Sequence, residues 1–298
     1  MNSPLAEVMH EPATIEEALS VLSEKGSEAA IIAGGTDLVV KLKERVIQPR
    51  CLVDIVKLPL SYIKGSRAKG LQIGATTSAK DIGSSALLKK ELPILVDAAV
   101  HLGGPQTQEM ATVGGNICNA SPCANFANVL AALDAVLTIR GTKKGEETSR
   151  DVPAKDFCRG PGVAGLESGE LLTEITVPPL PGPYGACYVK HTLRKEMDIA
   201  IVGAAVLVVP DGETVKRVRI ALGSVGATVV LAERAQQVMD GKVFSPHLIE
   251  TAAKLAAETD ASYIDDVRSS AAYRRTITEV AVKKALLSAW SMAKGGGK

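Results

Sequence analysis

Two short segments of the chain each place a pair of glycines beside hydroxyl and amide side chains. Gly34-Gly35 is followed by Thr36, and Gly114-Gly115 lies between Thr112 and Asn116. A glycine pair at the end of a strand lets the backbone turn sharply and leaves its N–H groups unshielded by a Cβ atom. Successive N–H groups of this kind form a nest that binds an anion such as phosphate. Two nests in one chain predict a ligand with a diphosphate, as in a dinucleotide cofactor.

Each segment also has a simpler explanation. An ordinary strand-to-helix turn favours glycine, so Gly34-Gly35 alone does not indicate a ligand. Residues 112–122, however, are mostly small, include several polar side chains and show little helical or strand periodicity, so their backbone groups need other partners. A helix that begins near Asn125 would direct the positive end of its dipole toward the same region. Together the two segments favour a bound anion.

Other common site chemistries are missing from the sequence. No glycine-rich loop ends in Gly-Lys-Ser/Thr, and no three spaced glycines open a helix as in the dinucleotide fingerprint. No nucleophile stands at a recognisable spacing from a base, since Ser121 lies in a Ser-Pro turn. The histidines are isolated, and Cys118 and Cys123 have no second pair nearby to complete a four-thiolate cluster. We therefore predict no catalytic residue and no metal on this chain, and cysteines that are buried small hydrophobes.

Composition excludes further classes of protein. The net charge of +1 over 298 residues argues against a general nucleic-acid or membrane-surface binder, which needs a basic excess. No apolar run reaches the roughly 20 residues that span a bilayer. The first residues lack the basic and apolar segments of a signal peptide. With an odd number of scattered cysteines, these features predict a cytoplasmic protein.

The elements that must position the glycine pairs fall on either side of a proline-rich segment, 178–183. Before it, Thr14 caps a helix with Glu17 completing a capping box, and a β–α–β unit closes near residue 57. Further strands are predicted before the prolines at 71–75, 135–140 and 171–177. Helices are predicted from Ser78 to a break at Pro93, at 94–102 and at 125–133. After it, the pattern predicts strands at 186–190, 200–209 and 215–222, then helices at about 228–240, 246–258 and 268–293. Strands followed by helices indicate an α+β arrangement.

The motifs, in this order and spacing, resemble the FAD-binding medium subunit of molybdenum hydroxylases, the family of xanthine dehydrogenase, carbon monoxide dehydrogenase and nicotinate dehydrogenase. The resemblance rests on Ala33–Leu38 and on Thr112–Ile117 with Ser121-Pro122. It extends along nearly all of the chain through 73–77, 169–175, 188–190, Arg194 and 198–200. The order of the motifs is more specific than any one of them.

The resemblance implies an α+β fold in which a two-subdomain α/β FAD-binding domain of the PCMH type precedes a C-terminal flavoprotein domain. The FAD-binding domain would cover residues 1–178, with subdomains at about 1–57 and 58–178 that hold FAD between them. The C-terminal domain would cover 184–293 and contain a three-stranded antiparallel sheet with helices. Residues 294–298, rich in glycine, would form a flexible tail.

The resemblance also implies which residues contact FAD. The contacts to the diphosphate and ribityl groups would come from Ile31, Ile32, Ala33, Gly34, Gly35, Thr36, Asp37, Leu38, Thr112, Gly114, Gly115 and Asn116. Leu102 or Gly103 and Leu172 would pack against the cofactor, and Tyr188 and Lys190 would lie near the isoalloxazine. Asn125 stands where the family often has an acidic residue, so it would contact FAD without a charge.

The implied function is electron transfer. Such a subunit accepts electrons from the [2Fe-2S] clusters of an iron–sulfur small subunit and passes them to an external acceptor such as NAD. Substrate hydroxylation occurs on a molybdopterin large subunit. We expect non-covalent FAD, because no Gly-His-type attachment segment is present at either glycine pair.

Two alternatives remain open from the sequence. A stand-alone flavin oxidase or reductase of the same FAD-binding superfamily would carry its own substrate-binding and proton-donating residues. A flavin-free scaffold subunit would purify without flavin absorbance and would not regain it on reconstitution.

Overall fold

The computed structural model describes residues 6–143, 145–180 and 182–295, so the last three residues of the predicted tail lie outside the described part. Its first region is a parallel sheet with two helices. The elements are β1 (Val8–His10), α1 (Ile15–Lys25), β2 (Ala29–Ile32), α2 (Leu38–Lys43) and β3 (Cys51–Asp54). The strand order β1-β3-β2 gives the predicted β–α–β unit and adds β1, which is too short and too exposed to show a strand pattern in the sequence.

The predicted cap of α1 forms with one difference. The Glu17 N–H donates to Thr14 Oγ1 at 3.1 Å, as expected of an N-cap. The Glu17 carboxylate reaches one residue further back than in the standard capping box and accepts from the Ala13 N–H at 2.7 Å. The helix then buries Ala18, Leu19 and Leu22 in the core of this region.

The second region is a five-stranded antiparallel sheet, order β4-β5-β10-β6-β7, with helices packed against it. Its elements are β4 (Ile63–Ser66), β5 (Gly70–Gly74), α3 (Ala79–Ser84), α4 (Ala86–Glu91), α5 (Pro93–Val100), α6 (Pro105–Met110), α7 (Val113–Cys118), α8 (Asn125–Ala132), β6 (Val136–Lys143), β7 (Glu146–Pro153), α9 (Ala154–Phe157), β8 (Cys158–Gly160), β9 (Val163–Ala164) and β10 (Leu171–Val177). α6 was not predicted, because Gly103-Gly104-Pro105 indicates a helix end while proline also suits the first helical position.

The third region is an antiparallel sheet covered by helices on one face. Its elements are β11 (Gly185–His191), β12 (Val202–Asp211), β13 (Thr214–Gly223), β14 (Val230–Leu231), α10 (Glu233–Met239), α11 (Pro246–Leu255), a π-helical turn (Ala256–Asp260) and α12 (Ala271–Ala293). The sheet has four strands rather than the predicted three, because the first residues of the helix predicted at 228–240 pair with β13 as β14. The α+β fold class is confirmed.

Helix α8 joins the second region to the third. All eight of its residues are buried, and it packs against β12 and β13. Directly after it, Asp134 accepts hydrogen bonds from the guanidinium groups of Arg217 and Arg219, the second at 3.0 Å. β12 is buried on both faces, with Ala205 and Leu207 in the core shared with α8. Within the described residues, no helix is long and apolar enough to cross a bilayer.

Candidate cofactor site

A cavity of about 760 Å³ lies where the three regions meet. This volume is in the range of small-molecule and cofactor sites, about 300–1,000 Å³. The walls come from β2 and the turn after it, from α7 and the segments around it, from the loop before β10, and from Lys190 with the loop that follows β11.

Most of the predicted contacts line this one cavity. They are Ile31, Ala33, Gly34, Gly35, Thr36, Asp37, Leu38, Leu102, Gly103, Thr112, Gly114, Gly115, Asn116, Asn125, Leu172 and Lys190. The topology thus brings together residues that lie up to 159 positions apart in the chain (Ile31 to Lys190).

Ile32 and Tyr188 are the exceptions, and neither lines the cavity. Alternate residues of a strand point to opposite faces, so Ile31 and Ala33 face the cavity while Ile32 faces away. Tyr188 is 9% exposed and belongs to the core shared by α8 and β12. Burial there raises the pKa of its phenol, so the hydroxyl stays protonated.

The first glycine pair forms the predicted turn. Gly35 has φ +69°, the left-handed region that favours glycine. A Cβ atom on Gly34 would lie 1.6 Å from the Met110 carbonyl oxygen, so no other residue fits there. The backbone N–H groups of residues 34–38 donate to no acceptor among the described residues. The turn therefore presents unpaired donors at the cavity wall.

The second glycine pair does not form a nest, which corrects the prediction made from the sequence. Gly114 and Gly115 lie in the first turn of α7, and their N–H groups are already used. Gly114 donates to the Ala75 carbonyl at 2.9 Å, and Gly115 donates to Thr112 Oγ1 at 3.0 Å. A Cβ on Gly114 would lie 2.6 Å from the Ala75 oxygen. This pair allows α7 to approach the end of β5 closely.

The polar groups that remain available on this wall are side chains. Asn116 Oδ1 accepts from the Phe126 N–H at 3.2 Å. The Asn116 side chain therefore both satisfies a backbone donor in the first turn of α8 and lines the cavity. The Asn125 amide donates to the Ala98 carbonyl at 3.1 Å. Its carbonyl oxygen and the second N–H of its NH₂ group are not used in that bond.

Lys190 places a positive charge in the cavity. Its Nζ donates to the His101 carbonyl at 2.8 Å, and it makes no ion pair among the described residues. Burial lowers the pKa of this ammonium because desolvation disfavours its charged form. A cation with only a neutral partner in a partly desolvated site attracts an anionic group.

Sequence reasoning missed several cavity residues, among them Lys41, Asn119, the loop before β10 and the segment 197–199. Lys41 had a local signal, because it follows the glycine turn on a short helix. The loop before β10 and the segment 197–199 overlap parts of the chain that carry the resemblance, at 169–175 and 198–200, but their residue types alone do not indicate a ligand contact. Only long-range packing brings them to the site.

The cysteines differ from the prediction in burial. Cys51 is buried, but Cys118, Cys123, Cys158 and Cys187 are half-buried. Cys118 lines the cavity, and burial raises the pKa of its thiol to about 12, so it is not a ready nucleophile at neutral pH. In the described part of the chain, no three His, Cys, Asp or Glu residues are grouped so as to hold a metal ion.

Comparison with known proteins gives a consistent result over the whole chain. Residues 5–180 match the family described as the FAD binding domain in molybdopterin dehydrogenase, and residues 187–289 match the CO dehydrogenase flavoprotein C-terminal domain. The carbon monoxide dehydrogenase medium chain of Hydrogenophaga pseudoflava is 34% identical over 95% of this chain and 96% of that protein. The xanthine dehydrogenase FAD-binding subunit of Escherichia coli O157:H7 is 30% identical over 97% of each.

Solved structures agree with these relatives. The carbon monoxide dehydrogenase from Hydrogenophaga pseudoflava that lacks the Mo-pyranopterin moiety superposes with a TM-score of 0.91 at 33% identity, covering 98% of this chain and 99% of that chain. Quinoline 2-oxidoreductase from Pseudomonas putida 86 superposes with a TM-score of 0.88 at 28% identity, covering 99% of each chain.

Proposed function

On the premise that this chain belongs to the FAD-binding medium subunits of molybdenum hydroxylases, we propose that it carries electrons from a partner's [2Fe-2S] clusters to an external acceptor such as NAD. In the same proposal, residues 1–178 bind FAD and residues 184–293 form the second domain. The iron–sulfur small subunit and the molybdopterin large subunit are its partners, and the complex works in the cytoplasm.

The observation that carries the proposal is the unpaired donor turn at residues 34–38. Five consecutive backbone N–H groups at the wall of a cofactor-sized cavity need acceptors, and a diphosphate supplies them. Thr36 adds a hydroxyl donor to the same turn. The residues present therefore fit the diphosphate of FAD.

Lys190 would act at a different part of the cofactor. It lines the cavity from β11, the strand that begins the third region, whereas the turn belongs to the first region. A positive charge stabilises negative charge placed beside it, most strongly where water is excluded. Lys190 would thereby raise the reduction potential of the bound cofactor.

Bound FAD supplies the redox chemistry, exchanging single electrons or a hydride. The chain itself then needs to bind, orient and shield the cofactor. The protonated Cys118 thiol and the carbonyl-bound Lys190 suit such a role better than that of a nucleophile or a general base. Relatives named as a medium chain and as subunit alpha of a dehydrogenase complex support a function within an assembly.

The test is purification of the complex through a tag on this chain. We expect flavin absorbance, release of free FAD by acid precipitation, and reduction of the flavin by the substrate only when both partner subunits are present. Assays with NAD, a ferredoxin and a quinone would then identify the acceptor. A chain that never binds flavin would support a scaffold, and flavin reduction by a substrate without partners would support a stand-alone flavoenzyme.

A further inference from the structure

We infer that Lys41 is a further phosphate-binding residue of this site and that Asn119 positions it. The inference rests on the proposed function, because it assigns the diphosphate of FAD as the group that Lys41 contacts. Both residues line the cavity, and neither belongs to a sequence motif.

The two side chains join the two glycine segments. Lys41 Nζ donates to Asn119 Oδ1 at 2.6 Å, a partly buried bond between residues 78 positions apart. Lys41 lies on α2, which follows the first glycine pair, and Asn119 is the C-cap of α7, which contains the second. The bond therefore joins the first region to the second at the cavity wall.

The charge balance of the cavity leaves Lys41 without a counterion. Glu170 is paired with Arg150 at 2.6 Å, and Asp198 is paired with Arg194 at 3.3 Å. Asp37 and Glu167 also line the cavity but are exposed to solvent. Across the described ranges, neither Lys41 nor Lys190 has an acidic partner within ion-pair distance. Two cations with neutral partners predict an anionic ligand.

Lys41 is placed to reach the turn. It lies one helical turn after Asp37, whose carbonyl accepts its N–H at 3.1 Å. Helical side chains lean toward the N-terminus of their helix, so the ammonium leans toward the unpaired N–H groups of residues 34–38. An ammonium has three donors, and the bond to Asn119 uses one. Two remain for phosphate oxygens.

The competing explanation is that the bond only ties the two regions together. The two explanations differ in what a negative charge at position 119 would do. An aspartate there would pair with Lys41 and strengthen a tie. The same carboxylate would neutralise a phosphate-binding ammonium and repel the diphosphate.

The experiment measures FAD affinity of the full chain after removal of its flavin, together with competition by ADP and by adenosine. For Lys41→Gln we expect FAD and ADP to bind about tenfold to hundredfold more weakly, the effect of losing a charge-assisted hydrogen bond. Adenosine, which has no phosphate, should compete as it does with the wild-type chain. Lys43→Gln is the matched control, since Lys43 is on the same helix but is exposed and outside the cavity.

Asn119→Asp decides between the two explanations. We expect it to weaken FAD binding about as much as Lys41→Gln, without lowering the thermal unfolding temperature. Wild-type FAD affinity in Asn119→Asp, equal losses in Lys41→Gln and Lys43→Gln, or an adenosine loss as large as the ADP loss would each overturn the inference. None of these results would affect the proposed function, which is tested by the flavin content of the wild-type chain and by the dependence of flavin reduction on the partner subunits.

Discussion

The two glycine pairs line the same cavity but have different structural roles. In both, the first glycine allows a close backbone approach, Gly34 to the Met110 carbonyl and Gly114 to the Ala75 carbonyl. The second glycines differ. Gly35 takes a left-handed conformation and leaves its neighbours' N–H groups unpaired, whereas Gly115 is helical and donates to Thr112.

The difference shows that a glycine pair near a ligand is not by itself an anion nest. What matters is whether other protein groups accept from the N–H groups. At α7 they do, because the end of β5 and the Thr112 cap provide acceptors. At the turn after β2 they do not, so that side of the cavity is the one suited to a diphosphate.

The largest effect is expected from blocking the close backbone approach that the first glycine of each pair allows. In Gly34→Ala the new methyl would overlap the Met110 carbonyl oxygen, 1.6 Å away, and the backbone must shift. We expect the free energy of unfolding to fall by about 3 kcal/mol, the upper part of the range for overpacking, and FAD binding to be lost. Denaturant unfolding measures the first and flavin fluorescence quenching the second. Gly160→Ala is the control, because the nearest atom to its Cβ position is 3.9 Å away.

Substitution of the second glycine of each pair tests directly whether the two pairs differ in their contribution to FAD binding. Gly35→Ala must hold an alanine at φ +69°, a strain of about 1–2 kcal/mol, so FAD affinity should fall about tenfold or more. Gly115→Ala keeps helical geometry and meets only the Thr112 hydroxyl at 2.9 Å. It should change FAD affinity much less. Equal losses of affinity in the two variants, measured by FAD titration, would indicate that the second pair also binds the anion.

A third prediction separates the diphosphate end of the site from its redox end. Lys190→Ala should leave FAD bound and lower its reduction potential by on the order of 20–60 mV, since a nearby charge is worth about 1–3 kcal/mol. Potentiometric titration of the flavin absorbance measures this. A loss of FAD affinity comparable to that in Gly35→Ala would show that Lys190 is needed for binding, and would contradict the separation of a diphosphate end from a redox end.

The same variant carries a pH dependence. Burial lowers the pKa of Lys190, so its charge is present below that pKa and is lost as the pH rises through it. The potential difference between the wild-type chain and Lys190→Ala should therefore shrink at a lower pH than the ordinary titration of lysine predicts. A difference that stayed constant up to that ordinary range would show that the ammonium is not desolvated.

The smallest effect concerns the cap of α7. Thr112→Val removes the acceptor of the Gly115 N–H and should lower the free energy of unfolding by about 1 kcal/mol. Thr14→Val is the matched control, because it removes the equivalent cap of α1 away from the cavity. The two variants should lose similar stability in thermal unfolding. Only Thr112→Val is expected to change FAD affinity, and by a smaller factor than Gly35→Ala.

Much of the fold follows from local patterns. The Thr14 cap, the strands at β2, β3, β10 and β12, and the left-handed turn at Gly35 depend on residues within a few positions of each other. Predictions failed where a distant partner decided the outcome. The segment that became β14 pairs with β13, and the helical environment of Gly115 depends on contacts with β5 and the residues after it.

The sequence by itself determined the family, the order of the elements and most of the residues that meet at the cavity. Only the tertiary structure decided which donors remain unpaired there, that Tyr188 lies in the core, and that Lys41 meets Asn119 at the cavity wall. The physical reason is that a cap or a backbone conformation is settled by near neighbours in the chain. Whether a buried polar group is satisfied depends on groups that only the packed fold brings within hydrogen-bond distance.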